Sequence, residues 1–199
     1  MNTSKARGLI ILLSIFALAA SLGIENKLVA LILMSVCILS AALILYRHLG
    51  ELTEISNDNP KMKTLSSITI FNIVVLAICV FASILIGTGF WQISENGEKY
   101  FAALIVAAVI LFSGNIAPKL PYSKHTGLRL PWTILDEDTW TVAHRILGYI
   151  SIPLGIVYIA GVPIIENFTL LTFVIIILWI GIPGALSYIF FHNNHIKKL

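Results

Sequence analysis

Residues Leu65 to Ile93 read LSSITIFNIVVLAICVFASILIGTGFWQI, 29 consecutive positions without a charged side chain. At about 1.5 Å per helical residue, roughly 20 such positions cross the hydrocarbon core of a bilayer, so this stretch is long enough to span it. Five more uncharged runs flank it: Gly8 to Ile24, Leu28 to Tyr46, Tyr100 to Pro118, Ile146 to Ile165 and Asn167 to Phe191. None alternates with the two-residue period of a barrel strand, and in lipid the backbone must satisfy its own hydrogen bonds, so each is expected to be a helix. The expected fold is an all-α membrane protein, a bundle of six transmembrane helices.

Composition agrees. Of 199 residues, 58% are hydrophobic and 12% charged, against about 25% charged in soluble domains. Mean hydropathy is +0.93. With 13 basic and 10 acidic residues, the chain cannot cover a globule this apolar, which excludes a soluble domain. No low-complexity tract or heptad run points to disorder or a fibre. One integrated membrane domain is expected, with an N-terminal three-helix region over 1–99 and a C-terminal region over 100–199.

The basic residues sort by loop. Lys5, Arg7, Arg47, Lys61, Lys63, Lys119, Lys124, Arg129, Arg145, Lys197 and Lys198 fall on one side, and only Lys27 and Lys99 on the other, beside Glu25, Glu95, Glu98 and Glu166. By the positive-inside bias, both termini and both long loops are expected in the cytoplasm. The net charge of +3 comes with no basic stripe interleaved with aromatics, so direct nucleic-acid binding is not expected.

Smaller features read blandly. Lys5, Arg7 and the Ala17-Leu18-Ala19 triplet resemble a secretory signal, but the apolar run continues and a second follows after three residues, which reads better as a helical hairpin. Cys37 and Cys79 lie inside apolar runs as packing residues, and no Cys/His cluster suggests a metal or cofactor. His192 and His195 read as part of a solvated tail, and the Asn167-Phe168-Thr169 sequon as accidental. Ser83 with Gly87, and Ser151 with Gly155, offer close helix contacts four residues apart.

One segment departs from the rest. Pro118 to Ala143 holds Lys119, Pro121, Lys124, His125, Arg129, Pro131, Trp132, Asp136, Glu137, Asp138 and Trp140. Its prolines forbid a continuous helix, and Gly127 permits a turn. Thr133-Ile134-Leu135-Asp136 has helix-start spacing, with Asp136, Glu137 and Asp138 at the positive end of the dipole, so a helix is expected to begin near Asp136. That helix sets Trp140, His144 and Gly148 on one stripe beside Arg145.

Two readings stay open for this cluster. In one, Trp132 and Trp140 anchor the membrane interface, Arg129 and Arg145 meet lipid phosphates, and the acidic triplet caps a helix. In the other, Asn115, Lys119, Arg129, His144 and Arg145 converge on a polar pocket for an anionic group or a partner's backbone.

Three pieces in order resemble the SdpI family, bacterial immunity proteins against the sporulation-delaying peptide toxin. They are Gly114-Asn115-Ile116-Ala117-Pro118-Lys119, Gly127-Leu128-Arg129-Leu130-Pro131-Trp132-Thr133 and Trp140-Thr141-Val142-Ala143-His144-Arg145-Ile146-Leu147-Gly148. They follow the family pattern G-N-x-x-P-K, G-x-R-x-P-W-T and W-x-x-x-H-R-x-x-G. The chain departs from it at Ala143, where relatives commonly have Thr, and at Ser123, where they often have Asn. The first half lacks the Pro-x-His-Phe signature of the N-terminal domain in longer relatives, so the chain resembles a short member with the C-terminal SdpI-type domain.

What the resemblance implies is a multi-pass protein of the bacterial cell membrane, non-enzymatic, that neutralises a membrane-active peptide toxin and recruits a soluble autorepressor. Its candidate toxin, partner or structural-motif residues are Asn115, Pro118, Lys119, Gly127, Arg129, Pro131, Trp132, Thr133, Trp140, His144, Arg145 and Gly148. A transporter or channel for a small solute or peptide is the alternative, although no ionisable Asp, Glu, Lys or Arg sits deep in a span. A lipid-modifying enzyme using His144 as a base has only a thin constellation behind it. Membrane lipids are expected partners in every case.

Overall fold

The computed structural model describes residues 3–56 and 58–196, excepting the side chains of His195 and Ile196. Lys197, Lys198 and the His195 side chain therefore lie outside the described residues. The chain is all-helical, with no strand among the described residues. Its helices are α1 (Thr3–Gly23), α2 (Lys27–Arg47), α3 (Leu49–Thr53), α4 (Met62–Gly87), α5 (Glu95–Ile116), α6 (Glu137–Gly161) and α7 (Phe168–Ile196), with a 3-10 turn at Ala117–Lys119. All but α3 are long and apolar enough to cross a bilayer, so the protein is a multi-pass helical membrane protein.

The chain forms two compact units, Met1–Ser94 and Glu95–Leu199. In the first, α1 and α2 form the expected hairpin, and α4 packs on α2. Asn26 ends the hairpin turn by accepting from the Leu28 and Val29 amides at 3.1 and 3.2 Å, which satisfies two orphan donors of α2. Close packing here comes from small side chains, with Ala17, Ala20 and Ala30 all buried. Cys37 is buried and unpaired, and Cys79 is also a free thiol. Arg7 pairs with Glu54 at 3.7 Å, and Thr3 donates to Glu51 at 3.2 Å. The start of α1 and the loop after α2 thus share one end of this unit, as the charge count requires.

In the second unit, α6 packs against both α5 and α7. Ala103, Ala107 and Ile110 of α5, Tyr158 and Val162 near the end of α6, and Leu171 and Ile175 of α7 make the apolar core at one end. There the Tyr158 and Thr172 hydroxyls share a hydrogen bond of 3.0 Å. The Asn167 side chain accepts from the Leu170 amide at 2.9 Å, so the sequon asparagine caps α7.

In the last turns of α5, α5 and α6 approach closely because glycines lie between them. A Cβ on Gly114 would overlap the Ser151 side chain, and one on Gly155 would lie 2.6 Å from Leu111 Cδ2. Ser151 is fully buried; its hydroxyl donates to the Leu147 carbonyl at 2.6 Å and accepts from Trp179 Nε1 of α7 at 2.7 Å. One serine thus ties three helices. The other small pair serves unit one, where Gly87 lies against Leu28 and Leu31.

Candidate functional site

Residues 120–136 run from the end of α5 to the start of α6, and the sequence dictates most of their path. Ser123 is buried, and its hydroxyl accepts from the His125 amide at 3.1 Å, a side-chain bond that shapes the turn. Gly127 takes φ +75°, in the left-handed region that side chains avoid. Pro131 follows Leu130 in a tight turn, in which the Leu130 carbonyl accepts from the Thr133 and Ile134 amides at 3.0 and 3.1 Å.

Thr133 is fully buried at the centre of this turn. Its Oγ1 accepts from the Leu130 amide at 2.9 Å and lies 2.7 Å from the Leu128 carbonyl, to which it donates. The expected helix start is refined rather than kept whole. Asp136 is the N-cap, accepting from the Thr139 amide at 2.8 Å and from the Thr139 hydroxyl, and the helix opens at Glu137. Thr133 belongs to the turn instead, because its hydroxyl is already committed to Leu128 and Leu130.

His144 joins loop to helix. It is 1% exposed, with Nδ1 at 2.7 Å from the Trp140 carbonyl and Nε2 accepting from the Leu128 amide at 2.9 Å. A carbonyl can only accept and an amide only donate, so these partners place the ring proton on Nδ1. Both ring nitrogens are engaged by main chain, which leaves neither for a ligand or for general-base chemistry in this conformation. Gly127 sits against the same ring: a Cβ there would overlap His144 Nε2. Two motif residues therefore require one another.

The indole of Trp140 stacks on the His144 ring at 3.7 Å between centroids, and Tyr122 meets Trp140 edge-on at 6.0 Å. The Tyr122 hydroxyl donates to the Ile134 carbonyl at 2.9 Å. Trp140 is 2% exposed, so the expectation that it anchors the membrane interface is corrected: the folded-back loop covers it. Trp132 is half-buried and reaches α7, where its Nε1 donates to Ser187 at 3.0 Å and its ring meets Tyr188 edge-on. Leu130 lies over Gly184, whose missing side chain leaves the space. On the α5 side, Pro118 leans on Gly148, where a Cβ would fall 2.5 Å from its ring. The segment is thus a clamp on both α6 and α7.

The charged members stand outside it. Asn115, Lys119, Arg129 and Arg145 are exposed, and Lys119 Nζ donates to Asn115 Oδ1 at 3.0 Å. The structure therefore brings Thr133, Trp140 and His144 together inside with the exposed Gly127 laid over the His144 ring, Pro118 against Gly148 at the α5 seam, and Trp132 onto α7, while the three cations and Asn115 face outward. Pro131 is exposed and shapes the turn. Ser151, Trp179, Gly184 and Ser187 complete the framework; the sequence reading missed the last three and noted Ser151 only as a small residue. Among the described residues no His, Cys, Asp and Glu group could hold a metal ion.

A multi-pass helical membrane protein with this clamp can now be compared with known proteins. Residues 119–187 match the model of the SdpI/YfhL protein family. The likeness carried by the three motifs therefore stands for this segment, which takes in the second and third motifs whole, Lys119 of the first, and α7 through Ser187. No curated protein and no solved structure matches the chain.

Proposed function

We propose that the protein is an immunity protein of the bacterial plasma membrane, which neutralises a membrane-active peptide toxin and presents the 120–136 clamp to a soluble repressor on the cytoplasmic side. The observation that carries this reading is the coincidence of the family match with the clamp: the SdpI/YfhL segment begins at Lys119 and ends at Ser187, the α7 residue that Trp132 holds. The likeness thus spans the clamp together with α6 and the part of α7 that the clamp holds.

That structure suits recognition better than turnover. Its histidine is consumed by two main-chain bonds, and its cations face outward from a rigid frame. The long apolar faces of α6 and α7, with Tyr149, Ile152, Ile156 and Phe173 exposed, supply lipid-facing surface on which an apolar peptide can be met within the bilayer. Expression in a host sensitive to such a peptide tests the proposal. Survival is expected to rise with the intact protein and to fall with Arg129→Ala; unchanged survival in both cases would remove the immunity reading.

A further inference from the structure

We propose that Lys119, Arg129 and Arg145 form one binding face for the headgroup of an anionic glycerophospholipid. Three contacts gather them. Arg129 follows Leu128, whose amide is bonded to His144; Arg145 follows His144; Lys119 follows Pro118, which rests on Gly148. The main chain at all three is therefore fixed against His144 to Gly148 of α6, a span of about 6 Å along the helix axis at 1.5 Å per residue.

Their charge is uncompensated. Among the described residues, Arg129 and Arg145 make no ion pair or side-chain hydrogen bond, and the only group held by Lys119 is the neutral amide of Asn115. The nearest acidic residues in sequence, Asp136, Glu137 and Asp138, lie around the start of α6, two turns before Arg145, and Asp136 is occupied by the cap. Ten guanidinium N–H donors therefore face outward at the end of a membrane-spanning unit, where phosphate diesters are the abundant anions and where bidentate donors suit them. The half-buried Trp132, three residues from Arg129 and fixed to Ser187, is an amphipathic neighbour suited to headgroup depth.

The test uses the full chain in bilayers, with quenching of its four tryptophans by brominated phosphatidylglycerol compared with brominated phosphatidylcholine. The quantity read is the ratio of the two association constants. Each cation close to an anionic surface is worth about a fivefold preference. The triple variant Lys119→Gln, Arg129→Gln, Arg145→Gln is expected to bring the ratio close to one, whereas Lys61→Gln with Lys63→Gln is expected to lower it far less. Arg129→Lys with Arg145→Lys is expected to retain most of it. If the triple variant loses helicity, the single exposed Arg129→Gln carries the same reading, with about a fivefold drop.

A wild-type ratio near one overturns the proposal. So does an equal loss from the Lys61 and Lys63 changes, which would mark a diffuse charge effect. Abolition of the preference by inorganic phosphate would show a site for the free anion instead, and binding of an acidic peptide without any lipid preference would show a protein partner.

Discussion

Replacing Gly127 by alanine probes the clamp at its tightest point, and Gly89 supplies the control. Both glycines have nearly the same positive φ, +75° and +73°, so alanine at either pays the left-handed penalty of about 1–2 kcal/mol and gains the same unfolded-chain restriction. They differ in surroundings. Around Gly89 nothing lies within 4 Å of an added Cβ, whereas at Gly127 it overlaps His144 Nε2. The ring must move, and the part-buried Leu128 amide loses its 2.9 Å bond; a donor left unpaired away from water costs about 1–3 kcal/mol. Gly127→Ala is therefore expected to destabilise by about 2–5 kcal/mol and Gly89→Ala by no more than about 2. Unfolding in mixed micelles, followed by tryptophan emission, measures both. His144→Ala removes the obstacle, so the double variant Gly127→Ala, His144→Ala should cost less than the sum of the singles by about 1–3 kcal/mol. The reasoning fails if Gly127→Ala costs no more than Gly89→Ala, or if the double variant is additive.

Thr133→Val should destabilise the loop by about 1–3 kcal/mol through the stranded Leu130 amide, with Thr133→Ser retaining the bonds; limited proteolysis between Ser123 and Asp136 would register the difference. Ser151→Ala strands Trp179 Nε1 and should cost a similar amount, seen as a shifted thermal transition in detergent. Gly114→Ala should push α5 from α6 and destabilise by about 1–3 kcal/mol, an effect that Ser151→Gly in the same chain should partly relieve, as unfolding of the single and double variants would show. Trp132→Phe removes the bond to Ser187 and leaves a smaller ring beside Tyr188, so a loss of at least about 0.5–1.5 kcal/mol is expected from the same unfolding measurement.

The six spans were legible because lipid forces charge-free runs, and their observed ends fall within about five residues of the ends of those runs except at the end of α4, which stops at Gly87, six residues short of Ile93, and at the start of α6. That helix begins at Glu137, nine residues before its uncharged run, and Asp136 was the signal that showed it. The clamp was legible in its parts and not in its assembly. Gly127 and His144 are 17 positions apart in the chain, and nothing in either residue alone says that one ring fills the other's missing side chain. Trp140 looked like an interface residue because entry into a span invites that reading; only the fold-back of Tyr122 to Ile134 makes it interior. The α7 partners Gly184 and Ser187 sit inside an apolar run, where small residues signal close approach without saying what approaches.

Amide hydrogen exchange of the full chain in bilayers tests the clamp most directly. The Leu128, Leu130, Thr133 and Ile134 amides, each held by a bond to His144, Thr133 or Leu130, should exchange far more slowly than open-loop amides, and Leu128 should lose that protection in His144→Ala. Exchange at open-loop rates across all four positions in the unaltered protein would contradict a fixed clamp and the functional reading built on it.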